Sequence, residues 1–311
     1  MNRIAIVGAG VSGLTCGVLL AEAGKQVTIF AEETGAQTTS AAAGAIWFPY
    51  DVEPRERVVG WSLQTFETLL RLTSEVASGV SMIELRCLSR AGEIEVPAWA
   101  PQLGACRLQE LPPQFTSGFA VEVPLIDTSV YLRYLHERFT RAGGEIRSGF
   151  RVTRLQELLP DWDTLINCAG VGARELVGDG NVEPHRGQVV FVAKPELEYA
   201  IVCNDPPLMY IFPRAHDCVC GGTNTVSDNR QPSAADRASI LQECTRVLGT
   251  AAPPVLGERV GLRPFRKGGV RLERERVSDG RLAVHNYGHG GAGFTLSWGC
   301  AEEVAQLLRL G

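Results

Sequence analysis

Three glycines spaced G-x-G-x-x-G, Gly8, Gly10 and Gly13, stand between a short apolar run and a helical pattern at the start of the chain. The passage reads RIAIVGAGVSGLTCGVLLAEAGKQVTIFAEE over residues 3–33. Residues 3–7 have the apolar content of a buried strand. Leu14, Val18 and Ala21 then recur at helical spacing, Gly24 stops the helix, and QVTIF forms a second strand. Such a glycine motif is weak alone, but inside a strand–turn–helix–strand unit of about thirty residues it specifies a dinucleotide site. The first glycine permits the tight turn, the second lets a pyrophosphate approach the main chain, and the third lets the helix pack on the strand. Val11 and Ser12 open the helix, whose free N–H groups and partial positive charge suit phosphates. Glu32, or Glu33 beside it, is placed to accept hydrogen bonds from an adenosine ribose.

The next segment, TTSAAAGAIWFPY over residues 38–50, argues for a flavin dinucleotide. It is rich in small residues where a nicotinamide-binding fold would start its next helix. Thr38, Thr39 and Ser40 offer hydroxyls to a second phosphate. Ala43, Gly44, Ala45 and Ile46 read as main chain threaded beside a flat ring.

The remaining chain alternates between two kinds of segment. A chain of 311 residues exceeds one ordinary core. Residues 1–50, 140–187 and 261–311 read as a Rossmann-like FAD-binding domain. Residues 51–139 and 188–260 read as an interleaved α+β substrate domain, so the fold class is α/β. In VVGWSLQTFETLLRLTSEV a helix turns Trp61, Phe66, Leu69 and Leu70 inward. IDTSVYLRYLHERFTRAGGEI is a second helix, capped by Asp127 or Thr128 and ended by Gly143–Gly144. A strand near EIRSGFRV brings Val152 to the cofactor. The buried run DTLINCAGVGARE is a central parallel strand, with Cys168, Ala169 and Gly170 at its ligand-facing end. A helix is expected at about 233–248.

Composition narrows the function. A net charge of −5 argues against nucleic acid or an anionic membrane as partner, and no run of 18 apolar residues exists. The amino terminus passes directly into a strand pattern, which leaves no room for a leader peptide. Nine scattered cysteines without C-x-x-C, and histidines without metal spacing, point to reduced thiols in a cytoplasmic protein with no metal site.

Taken in order, VGAGVSGL (7–14), TTSAAAGAIWFPY (38–50), INCAGVGA (166–173), HRGQVVFV (185–192), YIFPR with GGT (210–214, 221–223), GLRPFRKGGVRLERE (261–275) and HNYGHGGAGFTLSWG (285–299) resemble the D-amino acid oxidase family of FAD enzymes. The resemblance covers nearly the whole chain, and its last two motifs are the specific ones. It implies a flavin fold of the glutathione-reductase type and a substrate domain built on a large mixed sheet. It implies oxidation of D-amino acids to imino acids with reduction of O2 to H2O2, and it leaves a homodimer open. Arg263 matches the arginine that binds the substrate carboxylate. Tyr210 matches a tyrosine whose hydroxyl also holds it, and Gly291 the position whose carbonyl takes the amine. Two departures bear on substrate preference. Mammalian members carry a lid with a second tyrosine before the YIFP strand, whereas CNDPPLMYIFP here is too short and sets Pro206 or Pro207 near that place. Phe48 stands where those members have a glutamine. Together they point to bulky apolar D-amino acids.

The chemistry also follows from the residues. Four glycines lie between Gly288 and Gly293, just before the last helical pattern. His289, Gly290, Gly291, Gly293 and Phe294 offer bare main chain and a helix start where a reduced flavin gathers negative charge, and Thr295 adds a hydroxyl. A Cβ there would strike the ring or the substrate. Arginine suits a planar carboxylate through two parallel N–H donors. No general base is needed if the clamped substrate points its Cα–H at the flavin. His285 and His289 are expected to brace the loop. Arg266, Arg271, Arg274 and Arg276, alternating with Glu273 and Glu275, are expected on a solvated strand face. Arg214 is expected to be structural or at a pocket rim. The competing readings are a glycine- or sarcosine-type amine oxidase and a nucleotide-binding flavoprotein without turnover.

Overall fold

A computed structural model describes residues 3–50, 52–158, 161–277 and 280–309. β1 (Arg3–Val7) runs into α1 (Val11–Glu22), and β2 (Gln26–Ala31) returns parallel to β1. A 3-10 turn at Thr39–Ala42 and an irregular segment lead to α2 (Arg55–Leu72), β3 (Val80–Ser89), β4 (Cys106–Arg107) and β5 (Ser117–Ile126). Then come α3 (Thr128–Arg141), β6 (Glu145–Ser148), β7 (Thr164–Asn167), α4 (Ala173–Leu176) and β8 (Val182–Val192). β9 (Ala200–Cys203), β10 (Met209–Pro213), β11 (Cys218–Gly221) and β12 (Thr225–Val226) precede α5 (Ala234–Leu248). The chain closes with β13 (Val255–Arg266), β14 (Arg271–Arg276), β15 (Leu282–Tyr287) and α6 (Gly293–Arg309).

Among the described residues these strands form two sheets. One has six strands in the order β14-β15-β7-β1-β2-β6, parallel except for the β14–β15 pair. Its two faces are both buried, which explains the unbroken apolar runs of β1, β2 and β7. Ile4, Ile6, Ile29 and Ile166 pack with Leu14 and Val18 of α1 on one face. Ala5, Val7, Phe30 and Leu165 pack with Trp162 and Leu176 on the other. α1 lies against both α3 and α6. The second sheet is mixed and has nine strands. β8 pairs with β13 along one whole edge and with β11 and β12 along the other. From β11 the order continues through β10, β9, β3, β5 and β4. One face of this sheet packs on Ile240 and Cys244 of α5. Positions 187–188 and 260–261, where the sequence reading moves between two domains, lie inside β8 and β13.

Several local expectations resolve in detail. Asp127 is the cap of α3, its Oδ1 accepting from the N–H of Ser129 at 3.0 Å. The expected helix at 233–248 is α5, capped by Ser233. All nine cysteines are free; Cys106 is exposed and the others are buried. Cys218 and Cys220 both point toward α5, beside Cys244. Leu70 departs from expectation: it is 46% exposed, while Trp61, Thr65 and Leu69 form the buried stripe of α2. The stripe advances by four residues, which carries Leu70 past its edge. Arg266 and Arg271 also depart from the solvated face assigned to them. Asp179 Oδ2 accepts from Arg266 Nε and from the Tyr287 hydroxyl, each at 2.8 Å, and that hydroxyl accepts from Arg271 at 3.0 Å. Two arginines of a charged stretch thus enter a shielded network, while Arg274 and Arg276 stay outside. Arg214 is structural, bonded through two nitrogens to Asp217 at 2.7 and 2.6 Å. No helix of the described residues is long and apolar enough to cross a membrane.

Candidate active site

A cavity of about 420 Å³ runs from the carboxyl ends of β1, β2 and β7 to the face of β8, β13 and β10. The carboxyl ends of parallel strands are where such sheets bind ligands. Two helices, α1 and α6, begin at its wall, and neither has an acidic residue in its first turn. The first N–H groups of a helix have no partner inside it. The cavity therefore carries two anion-seeking ends, and that charge pattern fits a cofactor with phosphates at one end and an electron-accepting ring at the other.

The nucleotide end is shaped by glycine. Gly8 has φ +107, and a Cβ there would lie 2.4 Å from the carbonyl oxygen of Cys168. Only glycine fits that turn. Gly10, Val11 and Ser12 line the cavity, as do Cys168, Ala169, Gly170 and Val152. Gly13, assigned to the cofactor from the sequence, does not line it. A Cβ on Gly13 would stand 1.9 Å from the Gly8 carbonyl, so this residue lets α1 pack on the turn. Glu32 and Glu33 both reach the cavity. Glu33 is drawn to Arg230 at 2.6 Å, whereas Glu32 stays largely exposed, 3.8 Å from Arg151. Of the three hydroxyls, Thr38 donates to the Gly35 carbonyl at 2.8 Å and Thr39 to the Leu262 carbonyl at 3.4 Å. Ser40 Oγ accepts from Val11 N–H at 2.9 Å, which leaves its own proton to donate.

Ala43, Gly44, Ala45 and Ile46 form the next wall. Ala45 has φ +56 and is the non-glycine residue with positive φ among those described. That conformation costs on the order of 1 kcal/mol. It is enforced by neighbours: the Ala45 carbonyl accepts from Ile126 N–H at 2.9 Å, and Trp47 N–H donates to the Pro124 carbonyl at 2.8 Å. The segment is thereby stitched to β5. Thr295, expected to offer a hydroxyl, spends it on the main chain of Phe48, 3.1 Å from both its N–H and its carbonyl. It ties this wall to α6.

At the far end, Arg263 and Tyr210 converge over bare glycines. Arg263 lies on β13 and is diagonal to Gly187 on β8. A Cβ on Gly187 would sit 2.3–2.4 Å from three guanidinium atoms, so the guanidinium lies flat on that glycine. Tyr210 pairs with Gly221 of β11, whose Cβ would fall 2.0 Å from the phenol ring. The motifs HRGQ and GGT therefore contain glycine because two large side chains cross the sheet there. Arg263 Nη1 donates to the Thr223 carbonyl at 2.9 Å, and the guanidinium has no carboxylate partner among the described residues. Burial pushes the Tyr210 phenol above its usual range, against a downward pull from Arg263, so the hydroxyl keeps its proton and can donate.

The glycine loop closes the same end. Gly288 and Gly290 have φ +86 and +51, and Gly290 N–H donates to the Pro264 carbonyl at 2.9 Å. A Cβ on Gly291 would come within 3.7 Å of both Arg263 and Tyr50, so its main chain stands beside the guanidinium. Gly293 and Phe294 follow at the start of α6. His289 is bonded to Asn286 Oδ1 at 3.0 Å, and burial pushes its imidazole down to about 4, so it braces the loop as a neutral ring. His285 sits behind the wall, against Asn167 at 3.3 Å and Glu275 at 3.1 Å.

Phe48 reaches the cavity and packs edge-on against Trp99, with ring centres 5.6 Å apart. Asn204 and Leu208 face the mouth from the short turn before β10. Arg90 holds that turn by donating to the carbonyls of Asp205 at 2.9 Å and Pro207 at 2.7 Å. Tyr50 and His185 are among the cavity residues that escaped the sequence reading. Tyr50 closes the quoted motif WFPY, and its position after the aromatic pair was the available signal. His185 lies directly across from Arg263 and stacks on Phe265 at 4.5 Å. Only the long-range pairing of β8 with β13 puts it there.

A family model described as FAD dependent oxidoreductase matches residues 3–307. A D-amino-acid oxidase of Rubrobacter xylanophilus is 42% identical over 320 residues, covering 98% of this chain and 95% of that protein. One of Streptomyces coelicolor is 39% identical over 313 residues, covering 98% and 96%. The human D-aspartate oxidase is 34% identical over 328 residues, covering 98% and 94%. Among solved structures, glycine oxidase from Geobacillus kaustophilus superposes with a TM-score of 0.82 at 19% identity, covering 100% of this chain and 95% of that one. The chain belongs to the FAD-dependent oxidoreductase family, as its motifs lead one to expect, and FAD is its cofactor.

Proposed function

We propose that this FAD-dependent oxidoreductase converts D-amino acids to imino acids, which water hydrolyses to 2-oxo acids and ammonia, while O2 is reduced to H2O2. One observation carries the reading: Arg263, a guanidinium without a carboxylate partner among the described residues, lies on the cavity wall beside a protonated phenol and a bare glycine loop. The names of the two bacterial relatives supply the D-amino acid class.

The remaining N–H groups of Arg263 bind the substrate carboxylate, and Tyr210 donates a further hydrogen bond to it. The Gly291 carbonyl accepts from the neutral amine. Three fixed points orient the Cα–H, and fixed orientation is worth several powers of ten in rate. Bound FAD would supply the two-electron redox chemistry, taking up the hydride lost from the substrate Cα and returning the electron pair to O2. The N–H groups of Gly293 and Phe294 hold negative charge at the ring end, and that of Ser12, with the Ser40 hydroxyl, holds the phosphates. Glu32 takes the ribose. In this reading the six-stranded sheet is the centre of the flavin domain and the nine-stranded sheet that of the substrate domain.

Phe48, Val202, Leu208 and Phe212 give the substrate end an apolar wall, so the enzyme prefers bulky apolar D-amino acids. Peroxide release from D-leucine, D-phenylalanine, D-aspartate and glycine tests both claims. Faster turnover of D-aspartate refutes the preference, and turnover of glycine alone assigns the protein to the other amine oxidase class.

A further inference from the structure

The motif HRGQ contains two residues that the site does not use directly. β8 presents Gly187 to the cavity under Arg263, and strand alternation turns its neighbours Arg186 and Gln188 to the opposite face. Arg186 is 6% exposed and Gln188 is fully buried. Behind the sheet they hold the chain that returns from the cavity toward α5. Arg186 donates to the carbonyls of Asn229 at 3.0 Å and Gln231 at 2.8 Å, and to Asp236 at 2.6 Å. Gln188 donates to the Ser233 carbonyl and to Glu258, both at 3.0 Å, and accepts from Ser233 N–H at 2.8 Å and Arg186 at 3.0 Å. A buried network in which each member is satisfied fixes one arrangement of the chain.

The same strand holds Thr223 through its main chain, and Thr223 bonds in two directions. Its hydroxyl accepts from Gln188 N–H at 2.7 Å, and its carbonyl accepts from Arg263 Nη1 at 2.9 Å. The second bond occupies one corner of a planar fork whose flat side already rests on Gly187. One contact sets the plane of the guanidinium and the other its rotation within that plane. The donors that remain then face the cavity.

We propose that Thr223 is a positioning residue for Arg263, anchored by the main-chain N–H of Gln188 in a strand that the Arg186–Gln188 network fixes from behind, so that β8 builds the carboxylate clamp with both of its faces. This rests on the reading of Arg263 as the carboxylate binder. Losing the hydroxyl acceptor frees the carbonyl to drift and lets the guanidinium swing off its bearing.

The test uses the FAD-loaded enzyme with Thr223→Val, which keeps the side-chain shape and removes the acceptor, and Thr223→Ser, which restores it. Two probes are titrated by their effect on the flavin spectrum: 3-phenylpropanoate and its uncharged amide. Thr223→Val weakens carboxylate binding about tenfold and raises KM with a smaller change in kcat, while the affinity for the amide stays put. Thr223→Ser binds both probes like the wild type. If Thr223→Val does not retain flavin, Thr223→Ala removes the same acceptor from this half-buried site and carries the same expectation. Equal weakening of both probes, or of neither, overturns the proposal. Arg263→Met separates the two levels: if it binds the carboxylate normally, the reading of the site fails; if it loses the carboxylate and Thr223→Val does not, only the positioning role fails.

Discussion

Replacing Gly187 with alanine separates stability from function more cleanly than any other single change at this site. Gly187 lies in β8 without a left-handed backbone, so alanine is sterically acceptable to the chain itself. Alanine loses less entropy on folding, a gain of about 0.5–1 kcal/mol. Against it stands the new Cβ, 2.3–2.4 Å from three atoms of the Arg263 guanidinium. Ordinary contact needs about 3.5 Å, so the guanidinium must lift by about 1 Å. A long side chain does this by a rotamer adjustment of about 0.5–1.5 kcal/mol. The two stability terms nearly cancel, and the melting temperature should stay close to that of the wild type. Catalysis has no such compensation. A displacement of about 1 Å at a reacting geometry costs about 100-fold. Steady-state kcat/KM for D-leucine and thermal melting, measured on the same flavin-loaded preparation, check both halves. A Gly187→Ala enzyme with unaltered kcat/KM refutes the claim that the guanidinium works from that glycine.

Gly13→Ala places a Cβ 1.9 Å from the Gly8 carbonyl, a main-chain clash that cannot relax, so the purified protein should lack flavin and melt early; Gly10→Ala meets only the Ser40 hydroxyl at 3.0 Å and should keep its stability while binding FAD more weakly. His289 is pushed from 6.5 down to about 4 by burial, so the unfolded chain binds the extra proton between those values. Stability is therefore complete above 6.5 and falls as pH drops toward 4, by on the order of 3 kcal/mol; His285, also lowered chiefly by burial, adds with the same sign. Melting scans at pH 7 and pH 5 should show a smaller difference for His289→Gln than for the wild type. Asp179→Ala removes the shared acceptor of Arg266 and Tyr287 and should cost about 2–4 kcal/mol in urea unfolding, whereas Arg274→Ala should cost almost nothing.

What the sequence discloses follows the range of the forces involved. The β1–α1–β2 unit is legible because its signals are local: a strand, three glycines and a helical period lie within one short stretch. The fold class and the family are legible for the same reason, since each motif keeps its own character. The partners of those motifs are harder to see. Gly187 and Gly221 have no visible role in the sequence until β8 meets β13 and β11 meets β10, and only then do they become the floor under Arg263 and Tyr210. Thr295 reads as a free donor because its partner, the main chain of Phe48, lies 247 residues away. Leu70 is placed inward by a stripe drawn one residue too wide. Arg266 and Arg271 look solvated because charge alternation gives no hint of Asp179, which arrives from the end of α4. Short-range periodicity encodes elements, and long-range pairing decides which polar groups they shelter.

The central claim is that an amino acid is clamped by Arg263 against a flavin lying between α1 and α6. Anaerobic mixing of the flavin-loaded protein with D-leucine tests it most directly. The yellow colour of the wild type should bleach at low D-leucine, and Arg263→Met, still yellow, should bleach only at far higher concentration. A pure protein that bleaches equally well without Arg263, or that stays yellow with every D-amino acid offered, contradicts the account.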